Sequence, residues 1–146
     1  MTPDDRPLPL VEVEMTIPFH DVDMMEIVWH GHYVRYLEIA RCELLDRIDY
    51  NYLQMRESGF AWPVIDMRLR YAAPMRFTQR IAIEARLTEW EHRLKVDYCI
   101  RDAVTRQRLT RAWSVQVAVD MSNHEMCLAS PQLLVDKLLA WQEQQQ

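Results

Sequence analysis

The order of hydrophobic periods constrains this chain most: one long stretch at helical spacing is followed by four segments in which apolar and polar residues alternate. Ile65, Met67, Leu69 and Tyr71 alternate with Asp66, Arg68 and Arg70, and Ile81, Ile83, Ala85 and Leu87 with Arg80, Ala82, Glu84 and Arg86. Leu94, Val96, Tyr98 and Ile100 alternate with Lys95, Asp97 and Arg101, and Trp113, Val115, Val117 and Val119 with Ser114, Gln116 and Asp120. A period of two sends successive side chains to opposite faces, so each segment reads as a strand with one apolar face. The junctions at 72–75, 89–92 and 102–107 are too short for a crossover, which makes the strands antiparallel neighbours.

Upstream, Val11, Val13, Met15, Ile17 and Phe19 alternate with Glu12, Glu14 and Thr16, a further strand. Then Tyr33, Tyr36, Leu37, Ala40, Leu44 and Ile48 recur at helical spacing, and no Pro or Gly interrupts His32 to Tyr52. That span predicts a helix of about five turns. A short helical piece over Tyr52–Glu57 should stop at Ser58-Gly59. A short strand is expected near Met126–Leu128. A last helix is expected from Ser130 as N-cap, with Pro131 at its first position. Residues 1–9, with three prolines, read as a loose leader, and 142–146 as a frayed tail. The long helix alone is large enough to cover the apolar face of the sheet. The expectation is one α+β domain over 1–146, a helix wrapped by a curved antiparallel sheet.

Composition excludes several classes. A chain of 146 residues with 49% hydrophobic and 27% charged residues can bury a core, so disorder is excluded. No apolar run reaches the roughly 18 residues that span a bilayer, and no signal-peptide pattern opens the chain. Two glycines, Gly31 and Gly59, are too few for a dinucleotide fingerprint or a Walker loop. Cys42, Cys99 and Cys127 are scattered and odd in number, which fits free thiols in a reducing, cytoplasmic setting. A net charge of −5 disfavours nucleic acid as a partner. The charge is uneven, however: from Arg56 to Arg111 there are 12 Arg/Lys against 7 Asp/Glu. Such a basic half suits a phosphorylated ligand, or consists of solvent-facing strand positions.

The densest polar cluster, Phe19 to Tyr33, lies between the first strand and the helix and holds three carboxylates and three of the five histidines. Unpaired amides at a helix start can polarise a carbonyl oxygen, and a carboxylate upstream, such as Asp23, could then serve as base or nucleophile. A second reading is a metal held by His20, Glu26, His30 and His32. Against it, residues two apart do not share a helical face, so His30 and His32 diverge. The third is that Asp21, Asp23 and Glu26 only cap and form turns.

The run Asp23, Val28-Trp29-His30, Tyr33, Tyr36-Leu37-Glu38 and Arg41 resembles the opening motif of hotdog-fold acyl-CoA thioesterases of the 4-hydroxybenzoyl-CoA type. It looks especially like the bacterial branch associated with the Tol–Pal system. Tyr71-Ala72-Ala73-Pro74-Met75-Arg76 and Leu87-Thr88-Glu89-Trp90 extend the resemblance over about residues 10–128. The resemblance implies a hotdog fold and an acyl thioester substrate, carried by coenzyme A or by an acyl carrier protein. It implies that Asp23 and His30 are catalytic, the latter through its backbone N–H. Val28, Trp29, Tyr33 and Arg93 become substrate-binding residues, Arg93 toward the phosphates of coenzyme A. No metal or cofactor is implied, and the family's edge-to-edge pairing implies a homodimer or homotetramer with shared sites. Glu26 stands where the family has glycine, which implies either a different turn or a second acidic group. His32 stands at a usual asparagine, and Gln79 replaces a frequent acidic residue. These departures keep two alternatives open: a hotdog protein that binds acyl groups without turnover, and a hotdog dehydratase of 3-hydroxyacyl thioesters.

Overall fold

The computed structural model describes residues 2, 3 and 6–145. Five strands form one antiparallel sheet: β1 (Leu10–Thr16), β3 (Val64–Tyr71), β4 (Arg80–Glu89), β5 (Leu94–Asp102) and β6 (Arg108–Gln116), in the order β1-β4-β5-β6-β3. Three two-residue strands, β2 (Phe60–Ala61), β7 (Val119–Asp120) and β8 (Glu125–Met126), make a small second sheet at one corner. The helix α1 (Tyr33–Arg47) lies across the main sheet and is followed by α2 (Tyr52–Glu57) and α3 (Gln132–Gln144). This is the expected α+β, hotdog-type architecture.

Burial follows the helical period. Tyr33, Tyr36, Leu37, Ala40, Leu44 and Leu45 of α1 are buried against Ile81, Ile83, Ala85 and Leu87 of β4 and Val96, Tyr98 and Ile100 of β5. Removing a side chain as enclosed as Leu37 would cost about 2–5 kcal/mol.

Five expectations are corrected. The strands on either side of 72–75 are not neighbours: their link runs from Ala72 to Gln79, β3 pairs with β6, and β5 and β6 lie between it and β4. The long helix ends at Arg47, short of Tyr52, because Asp49 turns into the left-handed region (φ +54°) and Asn51 caps α2 with a reciprocal bond to Gln54. The last helix starts at Gln132, with Pro131 as its N-cap. That helix continues through Gln144 instead of fraying at 142: Gln142 is buried, and its amide donates to the carbonyls of Pro3, Arg6 and Pro7, which ties the leader down as well. The facing of β6 is the reverse of its hydrophobic pattern. Ala112, Ser114 and Gln116 face α1, while Trp113 sits on the outer face between Asp97 and Arg68. The inward polar groups are partnered: Ser114 with the Tyr98 hydroxyl at 2.9 Å, and Gln116 as donor to the Trp62 carbonyl at 2.8 Å.

Among the described residues β3 has only β6 as a neighbour, so its other edge is free. Val64, Ile65 and Tyr71 are exposed on it. No helix of the described residues is long and apolar enough to cross a membrane.

Candidate active site

The segment between β1 and α1 forms a clamped hairpin. Val22 pairs with Val28, the Asp23 N–H donates to the Ile27 carbonyl at 2.9 Å, and the Glu26 N–H to the Asp23 carbonyl at 3.0 Å. Glu26 has φ +62°, so the turn keeps the backbone that a glycine would take, at a cost of about 1–2 kcal/mol. The carboxylate at this position therefore does not demand a different turn. At the tip, Asp23 is exposed, and its Oδ1 accepts the Met25 N–H at 2.8 Å.

The loop after β3 buttresses this hairpin. The Val28 N–H donates to the Met75 carbonyl at 2.7 Å, the Phe77 N–H to the Glu26 carbonyl at 3.1 Å, and Ile27 bridges to Arg76. Gln79 locks the loop in turn: its Oε1 accepts the Arg76 N–H at 2.9 Å and its Nε2 donates to Asp102 at 2.8 Å. A glutamine suits this position because it both accepts and donates, which a carboxylate cannot do. Its bond is the largest cause holding the Asp102 carboxyl down at about 2, with the Thr105 and Val104 amides assisting.

The helix start presents open donors. A single turn of 3-10 helix, His30–His32, leads into α1. Its first internal donor is the His32 N–H, bonded to the Trp29 carbonyl at 2.9 Å. The preceding N–H groups, of His30 and Gly31, have no carbonyl within the turn, and no side chain caps it. Trp29 lies across Gly31, where a Cβ would collide with the indole. Its ring sits 5.1 Å from that of His30 and 5.4 Å from that of His32, and it is about half exposed at 51%. Val28 is buried. Tyr33 is buried edge-on to Tyr71 at 4.7 Å; burial pushes its phenol up, with the Met75 backbone amide opposing.

Asp21 is the residue whose weight the sequence hid among caps and turns. It is 2% exposed, and its Oδ2 accepts from the Tyr36 hydroxyl at 2.5 Å. Its Oδ1 forms an ion pair with Arg35 at 2.5 Å and lies 4.0 Å from His32 Nε2. Its backbone carbonyl accepts the Trp29 N–H at 3.1 Å. Burial alone would raise this carboxyl; the bonds from Tyr36 and Arg35 and the Arg35 charge outweigh burial and hold it below the usual range. Asp21 thus joins the strand bearing Asp23 to the first turns of α1. Spacing gave no sign of this, because Tyr36 lies fifteen positions away.

Arg93 is not brought to this place within one subunit. It follows β4, whose ten residues put it on the order of 30 Å from the hairpin end, and it grips Glu89 at 3.0 and 3.1 Å. Phe19, expected on the inner face, is exposed at 72% and packs edge-on against Phe77 beside the hairpin. With Met24, Met25 and Trp29 it rims the hairpin with exposed apolar surface. Cys42 is exposed on α1, and its Sγ accepts from Asn51.

A cavity of about 880 Å³ opens at the opposite end of α1, between Cys42 and Leu45, α2 and the β2–β7 corner. Tyr52, Met55, Phe60 and Trp62 line it, with Gln116 and the Glu38–Arg41 ion pair on its polar side.

A family model described as the thioesterase-like superfamily matches residues 17–141. The Synechocystis protein sll0410, named as an esterase, is 32% identical over 78 residues, covering 53% of this chain and 47% of its own length. The Bacillus subtilis protein YneP, named as an acyl-CoA thioesterase, is 23% identical over 77 residues, covering 53% and 56%. The chain thus spans about half the length of these curated relatives. Among solved structures, a 1,4-dihydroxy-2-naphthoyl-CoA thioesterase from Synechocystis superposes with a TM-score of 0.79 at 20% identity, covering 89% of this chain and 96% of its own. That likeness shows the hotdog fold.

Proposed function

This chain belongs to the thioesterase-like superfamily, and from that premise we propose that it hydrolyses an acyl thioester, of coenzyme A or of an acyl carrier protein, to the free acid and thiol. The observation that carries the reading is the clamped turn that exposes the Asp23 carboxylate on the hairpin leading into a helix start with two open amides. Asp23 activates a water or attacks the thioester carbonyl itself. The N–H groups of His30 and Gly31, at the positive end of α1, receive the charge that develops on the carbonyl oxygen. Val28, Trp29 and Tyr33 shape the approach of the acyl group.

The working unit is two copies. The free edge of β3 suits pairing with a second copy about a two-fold axis, which makes the new neighbours antiparallel. The Tyr71 end of one copy then meets the Val64 end of the other. Because Trp62 and Pro63 immediately precede Val64, this sets the Asp23 hairpin of one copy toward the cavity of its mate, which receives the acyl group. Arg93, at the cavity end of the sheet, faces the donor's phosphates in the same arrangement. A tetramer would pair two such dimers, in the cytoplasm.

The test is free-thiol release from aromatic, short and long acyl-CoA substrates and their carrier-protein counterparts, by wild type and Asp23→Asn. A loss of about a hundredfold or more in the variant is expected. Equal turnover by the variant would remove Asp23 from the mechanism. Acyl binding with no thiol release from either donor would identify a binding protein instead.

A further inference from the structure

The outer face of the sheet, turned away from α1, divides into two halves. Toward β1, β4 and β5 every arginine has a carboxylate partner: Arg80 with Glu14, Arg86 and Arg101 with Glu84, and Arg106 of the β5–β6 turn with Glu12. Toward β6 and β3 the pairing stops. Arg68, Arg70 and Arg111 line a groove of about 330 Å³ with Asp97 and Trp113, and none of the three has an ion-pair partner among the described residues.

The groove is unfavourable as it stands. Arg70 and Arg111 are directly opposite in the β3–β6 register, and like charges across a strand pair destabilise it. Arg68 is opposite Trp113 in that register. The one carboxylate in the groove, Asp97, is opposite Trp113 on the β5 side, so the indole separates it from Arg68; its nearest cation is Lys95 at 4.0 Å. Asp66, two residues along β3 on the same face as Arg68, acts on Arg93 of the β4–β5 turn. Lys95 also lies over the Trp113 ring at 5.4 Å, adding positive charge at the rim. Three guanidinium forks without counterions, around an aromatic ring, are complementary to an anion with several oxygens joined to a flat base.

We propose that this groove binds a phosphorylated nucleotide, with Arg68, Arg70 and Arg111 on its phosphates and Trp113 beside its base. The inference deepens the thioesterase reading in one respect, since the nucleotide end of coenzyme A is one source of that chemistry; a free nucleotide is the other. Binding itself does not depend on turnover.

The test is calorimetry and thermal shift on wild type, Asp23→Asn and the double variant Arg70→Gln/Arg111→Gln, with coenzyme A, ADP, inorganic phosphate and pantetheine as probes. In wild type and Asp23→Asn, coenzyme A and ADP should bind and raise Tm, more weakly as salt increases, while pantetheine, which has no phosphate, should not. The double variant should lose at least about tenfold in affinity, yet its own Tm without ligand should equal or exceed wild type, because the opposed charges are gone. A merely structural pair of arginines would give the reverse. If acyl-CoA turnover is present, a raised KM with unchanged kcat in the double variant assigns the groove to the donor; unchanged KM with lost ADP binding assigns it to a free nucleotide. No Tm shift with coenzyme A or ADP, or equal binding by the double variant, overturns the proposal. Absent turnover with intact nucleotide binding would overturn the thioesterase reading alone.

Discussion

The two ends of α1 differ in kind. At its start, charged and polar groups are held in fixed contacts: the exposed Asp23 on a turn closed by main-chain bonds, and the buried Asp21 bound by Tyr36 and Arg35. Toward its other end the wall is aromatic and aliphatic, and the space is large. One end carries an exposed carboxylate on a fixed turn and no large pocket; the other is a cavity without such a turn. On the proposed reading each copy supplies half of a site, with rigidity the property that matters at one end and volume at the other.

The largest way to break this comparison is Asp21→Ala. The Tyr36 hydroxyl would lose its partner in a buried setting and Arg35 its counterion, so stability should fall by about 2 kcal/mol or somewhat more. Turnover should fall further than this loss alone accounts for, while an acyl-chain probe bound at the cavity is unaffected; parallel melting, kinetic and probe-binding measurements check this. Next is Gly31→Ala, where the new methyl would collide with the Trp29 ring. The indole must swing aside, so its fluorescence should shift and kcat should drop by roughly tenfold, a displacement effect at positioned groups.

Glu26→Gly sharpens the comparison in the opposite direction. Removing a side chain from φ +62° should raise stability by about 1 kcal/mol with turnover kept. A loss of turnover would instead give the Glu26 carboxylate a chemical role. The smallest effect concerns Asp102, whose carboxyl is lowered from 3.8 to about 2 in the fold. Its contribution is complete above the unfolded value and is lost as pH falls through the folded one. Acid melting curves of Asp102→Asn should therefore be flatter than wild type between those two values.

The architecture was legible because the switch from period two to helical spacing and back is long and repeated; every main-sheet strand was anticipated, although β6 begins earlier than its pattern suggested. The reversal of β6 was not legible, since Ser114 and Gln116 look like solvent positions until Tyr98 and Trp62 supply their partners. The break after Arg47 was hidden because the signal for stopping was Asn51 as a cap and Asp49 in a left-handed conformation, with no Pro or Gly to mark it. At the site, the residue types from Asp23 to Tyr33 pointed to carboxylate-and-amide chemistry. The importance of Asp21 rests on a contact with Tyr36 and an ion pair with Arg35 that only the fold creates.

The most direct measurement is subunit mixing. Asp23→Asn disables the hairpin, and Cys42→Trp fills the mouth of the cavity. Each variant alone should be inactive in thiol release. Refolded together, they should recover about a quarter of wild-type activity, because half of the random dimers contain one site built from an intact hairpin and an intact cavity. No recovery, with mixed dimers demonstrated by native mass spectrometry, would mean that each hairpin works with the cavity of its own chain, and would contradict the shared site.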